Sequence, residues 1–388
     1  MTDVQRRPGD PDAAPRPRKQ EQEPASSEVT EVAPDIIRMQ LPVWMPGLGH
    51  VNCYAIPDSQ GVALVDPGLP GPPTWKAIQD RLRSAGLRAR DVHTLIVTHS
   101  HPDHFGGAAR LARETGAKIV AHRSFHFGPW NAADGPEVSV DDLAAHHRHA
   151  HGSDEDDDEV PDSLREAVDE AHEMLHRTRA EGTTPWGGAP PRPPFGKRIR
   201  FRLMRLLGRS FVPTISHPVE HGDVLRLADR EWFVVHTPGH TSDHFCLHDP
   251  EGGTLLAGDH VLPTITPHIS GIASSPDPLA SFFYSLDRVA EIHGVARVLP
   301  AHGHPFDDLA ERTQAIKRHH EERLVRVMKI SAELGPATVQ EFSQRLFQPR
   351  SWGAMAESET YAHLEHLRIA RKAERHHDER GRLIYVAG

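Results

Sequence analysis

Only two cysteines occur in this chain of 388 residues, Cys53 and Cys246. So few exclude a cysteine-built zinc cluster and argue against a disulfide framework. Each sits in an apolar, strand-like stretch, so both are expected to be buried thiols. No apolar run reaches the roughly 20 residues that span a bilayer. The first 32 residues are polar, charged and proline-rich, without the apolar h-region of a secretory signal. They read as a disordered tail, and a cytoplasmic location is the expectation that follows. Basic residues are outnumbered 44 to 54, leaving a net charge of −10. That sign argues against a general nucleic-acid binder, while leaving room for a local basic patch.

What the chain has in excess is histidine, 30 in all. A lone histidine therefore means little, and spacing has to carry the argument. Residues 36–67 alternate short apolar runs with Pro and Gly, which suits β-strands. GVALVDPG (61–68) is a strand ending in a turn. Residues 74–85 have helical spacing, with Trp75, Ile78 and Leu82 on one face. HTLIVT (93–98) is the next strand, and HSHPDH (99–104) follows it directly. FGGAARLARETG (105–116) reads as a helix closed by Gly116, and KIVAH (118–122) as a further strand.

This rhythm breaks at about 124–214, which we read as an insertion. It carries an acidic run (154–159), a helical stretch (163–179), a Pro/Gly-rich linker and the basic stretch KRIRFRLMRLLGR (197–209). On a helix, Arg198, Arg202, Arg205 and Arg209 would share one face beside Ile199, Leu203, Leu206 and Leu207. Such a helix is a candidate lid offering Arg202 and Arg205 to an anionic substrate; the plainer alternative is an amphipathic helix with solvated arginines. Strands resume with DVLRLADREWFVVHTPGH (223–240), HFCLHD (244–249) and GGTLLAGDHV (252–261). Residues 277–293 look helical, and VARVLPAHGHP (295–305) is a final strand and turn. Helices are then expected at 307–334, 335–347 and 359–376, with RGRLIYVAG (380–388) as a closing strand. That order suggests a small winged-helix domain. The expected division is a tail (1–32), a catalytic domain (33–306) and a C-terminal domain (307–388).

Chemistry-bearing residues gather where strands end. LIVT precedes His99, His101, Asp103 and His104; WFVVHTPG precedes His240; LLAG precedes Asp259; VLPA precedes His302. Loops at strand ends collect side chains into one site. Imidazoles and carboxylates suit zinc, and also manganese or iron. His99 and His101, two positions apart on a turn, can address one ion, Asp103 and His104 a second, and a carboxylate such as Asp259 can bridge. Two ions about 3.5–4 Å apart can share a hydroxide, a strong nucleophile at neutral pH.

With these motifs the chain resembles the metallo-β-lactamase-fold hydrolase superfamily. THSHPDHFGG at 98–107 is similar to its signature, and TPGHTSDH (237–244) to the segment carrying its third histidine. GDH (258–260) and PAHG (300–303) resemble the later motifs, and VNCYAI (51–56) and LVDPG (64–68) the opening strands. The resemblance implies a four-layer αβ/βα sandwich and two divalent ions. It would place His99, His101 and His240 on the first ion and Asp103, His104 and His302 on the second. Asp259 would bridge, and Asp66 would orient ligands through hydrogen bonds. An aspartate at 259, where some β-lactamases carry a cysteine ligand, resembles the glyoxalase II, lactonase and ribonuclease branches. Antibiotic hydrolysis is accordingly not the expected activity, and Cys246 is expected in the core. Residues 307–388 resemble the winged-helix domain of the β-lactamase-like protein 2 subfamily, which includes an endoribonuclease.

The implied reaction is hydrolysis of a thioester, ester or lactone, with Asp103 assisting the leaving group. The alternatives are a phosphodiesterase acting on single-stranded RNA and a metal-binding regulator with little catalysis. A small anionic substrate is expected, with RNA as the alternative. DNA is not, because charges in 307–388 nearly balance, and self-association is left open. His244 and His268, and also His260 and His304, lie near the motifs as candidates for substrate contact or proton donation.

Overall fold

A computed structural model describes residues 19–127, 140–151, 161–187, 211–272 and 275–388. The first sheet has seven strands: β1 (Val29–Ala33), β2 (Ile36–Met45), β3 (Leu48–Asp58), β4 (Gly61–Val65), β5 (Val92–Ile96), β6 (Lys118–His122) and β7 (His217–Val219), in sequential order. β1 to β4 pair antiparallel, and β4 to β7 parallel. The parallel connections carry α1 (Pro72–Ser84), then α2 (Pro102–Phe105) and α3 (Ala108–Thr115), the last closed by Gly116 at φ +77°. The second sheet has five strands in the order β12-β11-β10-β9-β8: β8 (Val224–Leu227), β9 (Arg230–His236), β10 (Phe245–Asp249), β11 (Thr254–Gly258) and β12 (Arg297–Pro300).

Strand alternation builds the layers. Tyr54, Ile56, Ala63, Val65 and Ile96 point inward and meet Trp232, Val234, Phe245, Leu247 and Leu256 of the second sheet. Their neighbours Cys53, Ala55, Leu64 and Leu95 point outward, under Ile78, Leu82 and Leu111 of α1 and α3. On the far side Cys246, Leu255 and Ala257 pack against Leu279, Phe282 and Leu286 of α6 (Pro278–Ala290). Helix, sheet, sheet and helix thus form the expected four layers, and both cysteines are buried in them as free thiols.

Order begins earlier than the 33 expected from composition. Residues 20–22 form a 3₁₀ turn and β1 pairs with β2. Glu21, fully buried, accepts hydrogen bonds from Thr264 N and Ile265 N at 2.8 and 3.1 Å. Polarity hid this segment because its anchor is a carboxylate satisfied by backbone amides, not an apolar face.

Within the insertion the described helices are α4 (Val140–His151) and α5 (Asp162–Glu181). Leu143, Val168 and Ala171 pack with Ile369 of the C-terminal region, and Met174 and Trp186 join its core. The acidic run 154–159 and the basic stretch 197–209, Arg202 and Arg205 included, lie outside the described residues. The C-terminal region comprises α7 (Leu309–Leu334), β13 (Ala337–Thr338), α8 (Val339–Leu346), α9 (Ala354–Ile369), β14 (Ala373–His377) and β15 (Leu383–Ala387), with sheet order β13-β15-β14. Thr338 and Glu341 form a capping box at the start of α8. The helix expected over 359–376 stops at Ile369. The chain turns through Arg371 at φ +58°, and residues 373–377 pair with β15 as a strand. α7 serves two cores: Leu309 and Ile316 pack beneath the second sheet, Val327 and Ile330 in the C-terminal region.

Candidate metal centre

The site lies at the carboxyl ends of β4, β5, β9, β11 and β12. Asp66 follows β4 in a left-handed turn, φ +53°. His99 and His101 follow β5, and Asp103 and His104 form the first turn of α2. His240 follows β9, Asp259 follows β11 and His302 follows β12. Gly258 has φ +51°, and a Cβ there would stand 2.5 Å from His244 Nε2, so only glycine lets the chain present Asp259 here.

The seven expected ligands come together in two groups. Donor atoms of His99, His101, His240 and Asp259 lie within 4.8 Å of one another, as do those of Asp103, His104 and His302. Asp259 spans the groups. Its Oδ2 lies 3.8, 3.5 and 3.5 Å from His99, His240 and His104 Nε2, and its Oδ1 lies 3.4 Å from His302 Nε2.

Hydrogen bonds around the rim set which ring nitrogen faces inward. Asp66 Oδ1 accepts from Thr98 N at 2.9 Å, and its Oδ2 accepts from the Thr98 hydroxyl at 2.8 Å and His104 Nδ1–H at 2.9 Å. The Thr98 hydroxyl has spent its proton on Asp66, so at 3.0 Å it accepts from His99 Nδ1–H. His240 Nδ1–H donates to the His268 carbonyl at 2.8 Å, and His302 Nδ1–H to the His50 carbonyl at 2.5 Å. Four imidazoles therefore turn an Nε2 lone pair inward. His101 instead turns in Nδ1, 3.0 Å from both His99 and His240 Nε2.

The electrostatics are those of buried carboxylates facing imidazoles, and a bound cation would displace the inward proton they favour on His104. Burial works against a charge on His104, yet Asp259, Asp66 and Asp103 outweigh it and raise its pKa well above the usual value. Burial likewise opposes charge on Asp259, but His302, His104 and His240 hold it well below the carboxylate range. Burial and neighbouring imidazoles push His99 well below its ordinary value. His104 Nε2, His302 Nε2 and Asp259 Oδ1 are buried and have no hydrogen-bond partner among the described residues. Converging lone pairs, charged carboxylates and orphaned buried donor atoms fit divalent cations of the zinc type.

His244 and His268 stand apart from the donor atoms. His244 is fully buried; its Nε2 accepts from Asp259 N at 3.0 Å and its Nδ1 faces the Thr237 hydroxyl at 2.7 Å, so it clamps the Asp259 backbone. His268 offers its carbonyl to His240, and its ring contacts Glu359 of α9 at 3.3 Å. His260 is buried beside Phe282, and His304 pairs with Glu23 at 2.9 Å. Sequence reasoning missed the supports of His302. His50 Nε2 accepts from Gly303 N, Asn52 Nδ2 donates to Pro300 O and Gly303 O, and Tyr54 OH donates to Pro300 O. Polar residues at alternate positions of an otherwise apolar strand were the available signal. Asp243 was missed as well. Burial pushes its carboxyl up to about 6, and Ser100 Oγ, between His99 and His101, donates to it at 3.0 Å.

Comparison with known proteins gives one family model, the metallo-β-lactamase superfamily, matching residues 46–329. Hydroxyacylglutathione hydrolase of Maricaulis maris is 37% identical over 94 residues, 24% of this chain and 35% of that protein. The probable metallo-hydrolase YqjP of Bacillus subtilis is 21% identical over 348 residues, 85% of this chain and 91% of that one. The chain spans about a third of the length of the first curated relatives it matches. Among solved structures, a metallo-β-lactamase family protein of Thermus thermophilus superposes with a TM-score of 0.66 at 27% identity, covering 92% of this chain and all of the other.

Proposed function

The chain belongs to the metallo-β-lactamase superfamily, and from that premise we propose that it is a metal-dependent hydrolase with a two-ion site acting on a thioester, ester or lactone. The observation carrying this reading is the seven-residue cluster with its ring nitrogens turned inward and Asp259 between the two groups. His99, His101, His240 and Asp259 would hold one ion, and Asp103, His104, His302 and Asp259 the other. Bound there, the ions supply an activated water at neutral pH and Lewis acidity toward a carbonyl oxygen.

The chain's own residues keep that site in register. Asp66 and Thr98 fix the tautomers of His104 and His99, one histidine in each group. The His268 and His50 carbonyls do the same for His240 and His302. His244 fixes the backbone of Asp259. Asp103, nearly fully buried, is the carboxylate we assign to the leaving-group side; held ionised against burial by His104 and His302, it would take the proton released by the attacking water and pass it to the departing sulfur or oxygen.

The acyl class is supported by the likeness to a hydroxyacylglutathione hydrolase. We also read residues 309–387 as a winged helix, from the order helix, strand, two helices and hairpin. It packs behind the site through Glu359 and His268, which supports a structural role over nucleic-acid reading. No helix among the described residues is long and apolar enough to cross a membrane.

The test is a parallel screen of thioesters, lactones and a single-stranded RNA with zinc, manganese and iron. Metal-dependent turnover of an acyl substrate, lost in Asp259→Ala, is expected. Cleavage of RNA alone would transfer the site to phosphodiester chemistry, and no turnover on any of them would leave the regulator reading.

A further inference from the structure

A second buried constellation lies away from this site. His147 comes from α4, Asp277 caps the N-terminus of α6 and His366 lies on α9. Their donor atoms lie within 4.8 Å of one another. Asp277 and His366 are fully buried, and His147 is 4% exposed. We propose that His147, Asp277 and His366 form a separate site for one divalent transition-metal ion, which ties the insertion and the C-terminal region to the catalytic sandwich.

Three observations carry this. First, the donor set suits the ion: two imidazoles and a carboxylate are borderline ligands of the zinc type. Asp277 Oδ1 accepts from Ala280 N at 2.9 Å as the helix cap, and Oδ2 faces His366 Nδ1 at 3.0 Å and His147 Nε2 at 3.7 Å. These separations match those of the first cluster, where His101 and His240 approach to 3.0 Å and His240 and Asp259 to 3.5 Å.

Second, a fully buried carboxylate has to be compensated. Among the described residues, the basic groups in ion-pair range of Asp277 are His147 and His366. An ion at this point compensates the charge without requiring a buried imidazolium.

Third, the placement has a structural consequence. The three residues are 130 and 89 positions apart in the chain, so joining them closes two long loops. Each comes from an element whose packing would be pinned by the bond. Leu143 of α4 packs in a small cluster with Ile369 of α9, and Phe283 of α6 lies edge-on to His366. α4 already meets α6 through His146 stacked on Tyr284 and His149 paired with Asp287, and an ion would add a bond that reaches α9 as well.

The test is metal content in the full chain after exhaustive dialysis. Wild type should hold one zinc equivalent more than His147→Gln, and the same decrement should persist in an Asp259→Ala background, where the first cluster is already weakened. That background keeps failure here distinct from failure of the hydrolase reading. Circular dichroism checks that His147→Gln is folded. As a second measurement, cobalt-loaded His147→Cys should show a near-ultraviolet thiolate-to-cobalt band absent from cobalt-loaded wild type. Equal zinc content in wild type and His147→Gln, or no such band in folded His147→Cys, overturns the proposal and leaves the triad as a hydrogen-bonded helix cap.

Discussion

Replacing Asp66 by Asn removes one charge and one acceptor, and the hydrogen-bond pattern decides the consequence. The Asn oxygen can keep the bond from Thr98 N. Its NH₂ then occupies the place of Oδ2, where Thr98 Oγ1 and His104 Nδ1 now donate. Both are forced to become acceptors. His104 must move its proton to Nε2, the atom that faces Asp259, and so loses the lone pair it would offer an ion. The Thr98 hydroxyl, freed to turn, no longer has to accept from His99 Nδ1–H. One substitution thus disturbs a histidine in each group. Partners of this kind are worth about 10–100-fold in metal affinity, or about 1.4–2.7 kcal/mol. Competition against a chromophoric chelator measures it. We expect Asp66→Asn to fall in that range for both ions. Unchanged affinity in a folded protein would refute the tautomer argument.

Asn52→Ala removes the side chain that donates to both Pro300 O and Gly303 O. Leaving the Gly303 carbonyl without that donor should cost about 1–3 kcal/mol, read as a lower urea midpoint; an unchanged midpoint would show that the His302 turn is held by other contacts. A third expectation concerns pH. Burial, with the neighbouring imidazole next, lowers His122 to about 3; burial alone leads in lowering His236 to about 4 and His260 to about 3, each from 6.5. A lowered folded-state pKa means that the unfolded chain binds the proton more readily. Each group therefore contributes stability that is full above pH 6.5 and is lost as pH falls through the folded value. Urea midpoints should drop steadily between about pH 6.5 and 4, and midpoints flat over that window would contradict the burial of these rings as neutral groups.

The parts of the fold that were legible in the sequence are those written locally. A strand followed at once by His, Asp or a glycine turn announces both the strand and the residue it delivers, and the residues after β5, β9, β11 and β12 were all found that way. The supports of the site were harder to see. His50, Asn52 and Tyr54 act across 246 to 253 positions, and nothing next to them in the chain marks their partners. Glu21 reads as tail because a buried carboxylate satisfied by backbone amides looks the same in sequence as a solvated one. The helix expected to run to 376 failed for a related reason. Residues 373–377 are polar enough to extend a charged helix, and only their pairing with residues 383–387 makes them a strand. His147 and His366 lie on helices at positions that no motif marks, and their meeting with Asp277 is a product of tertiary packing alone.

The most direct test of the central claim is anomalous diffraction at the zinc edge from crystals of the zinc-loaded protein. The account predicts two peaks flanking the Asp259 carboxylate, about 3.5–4 Å apart, one among His99, His101 and His240 and one among Asp103, His104 and His302. A single peak there, or none, would contradict it.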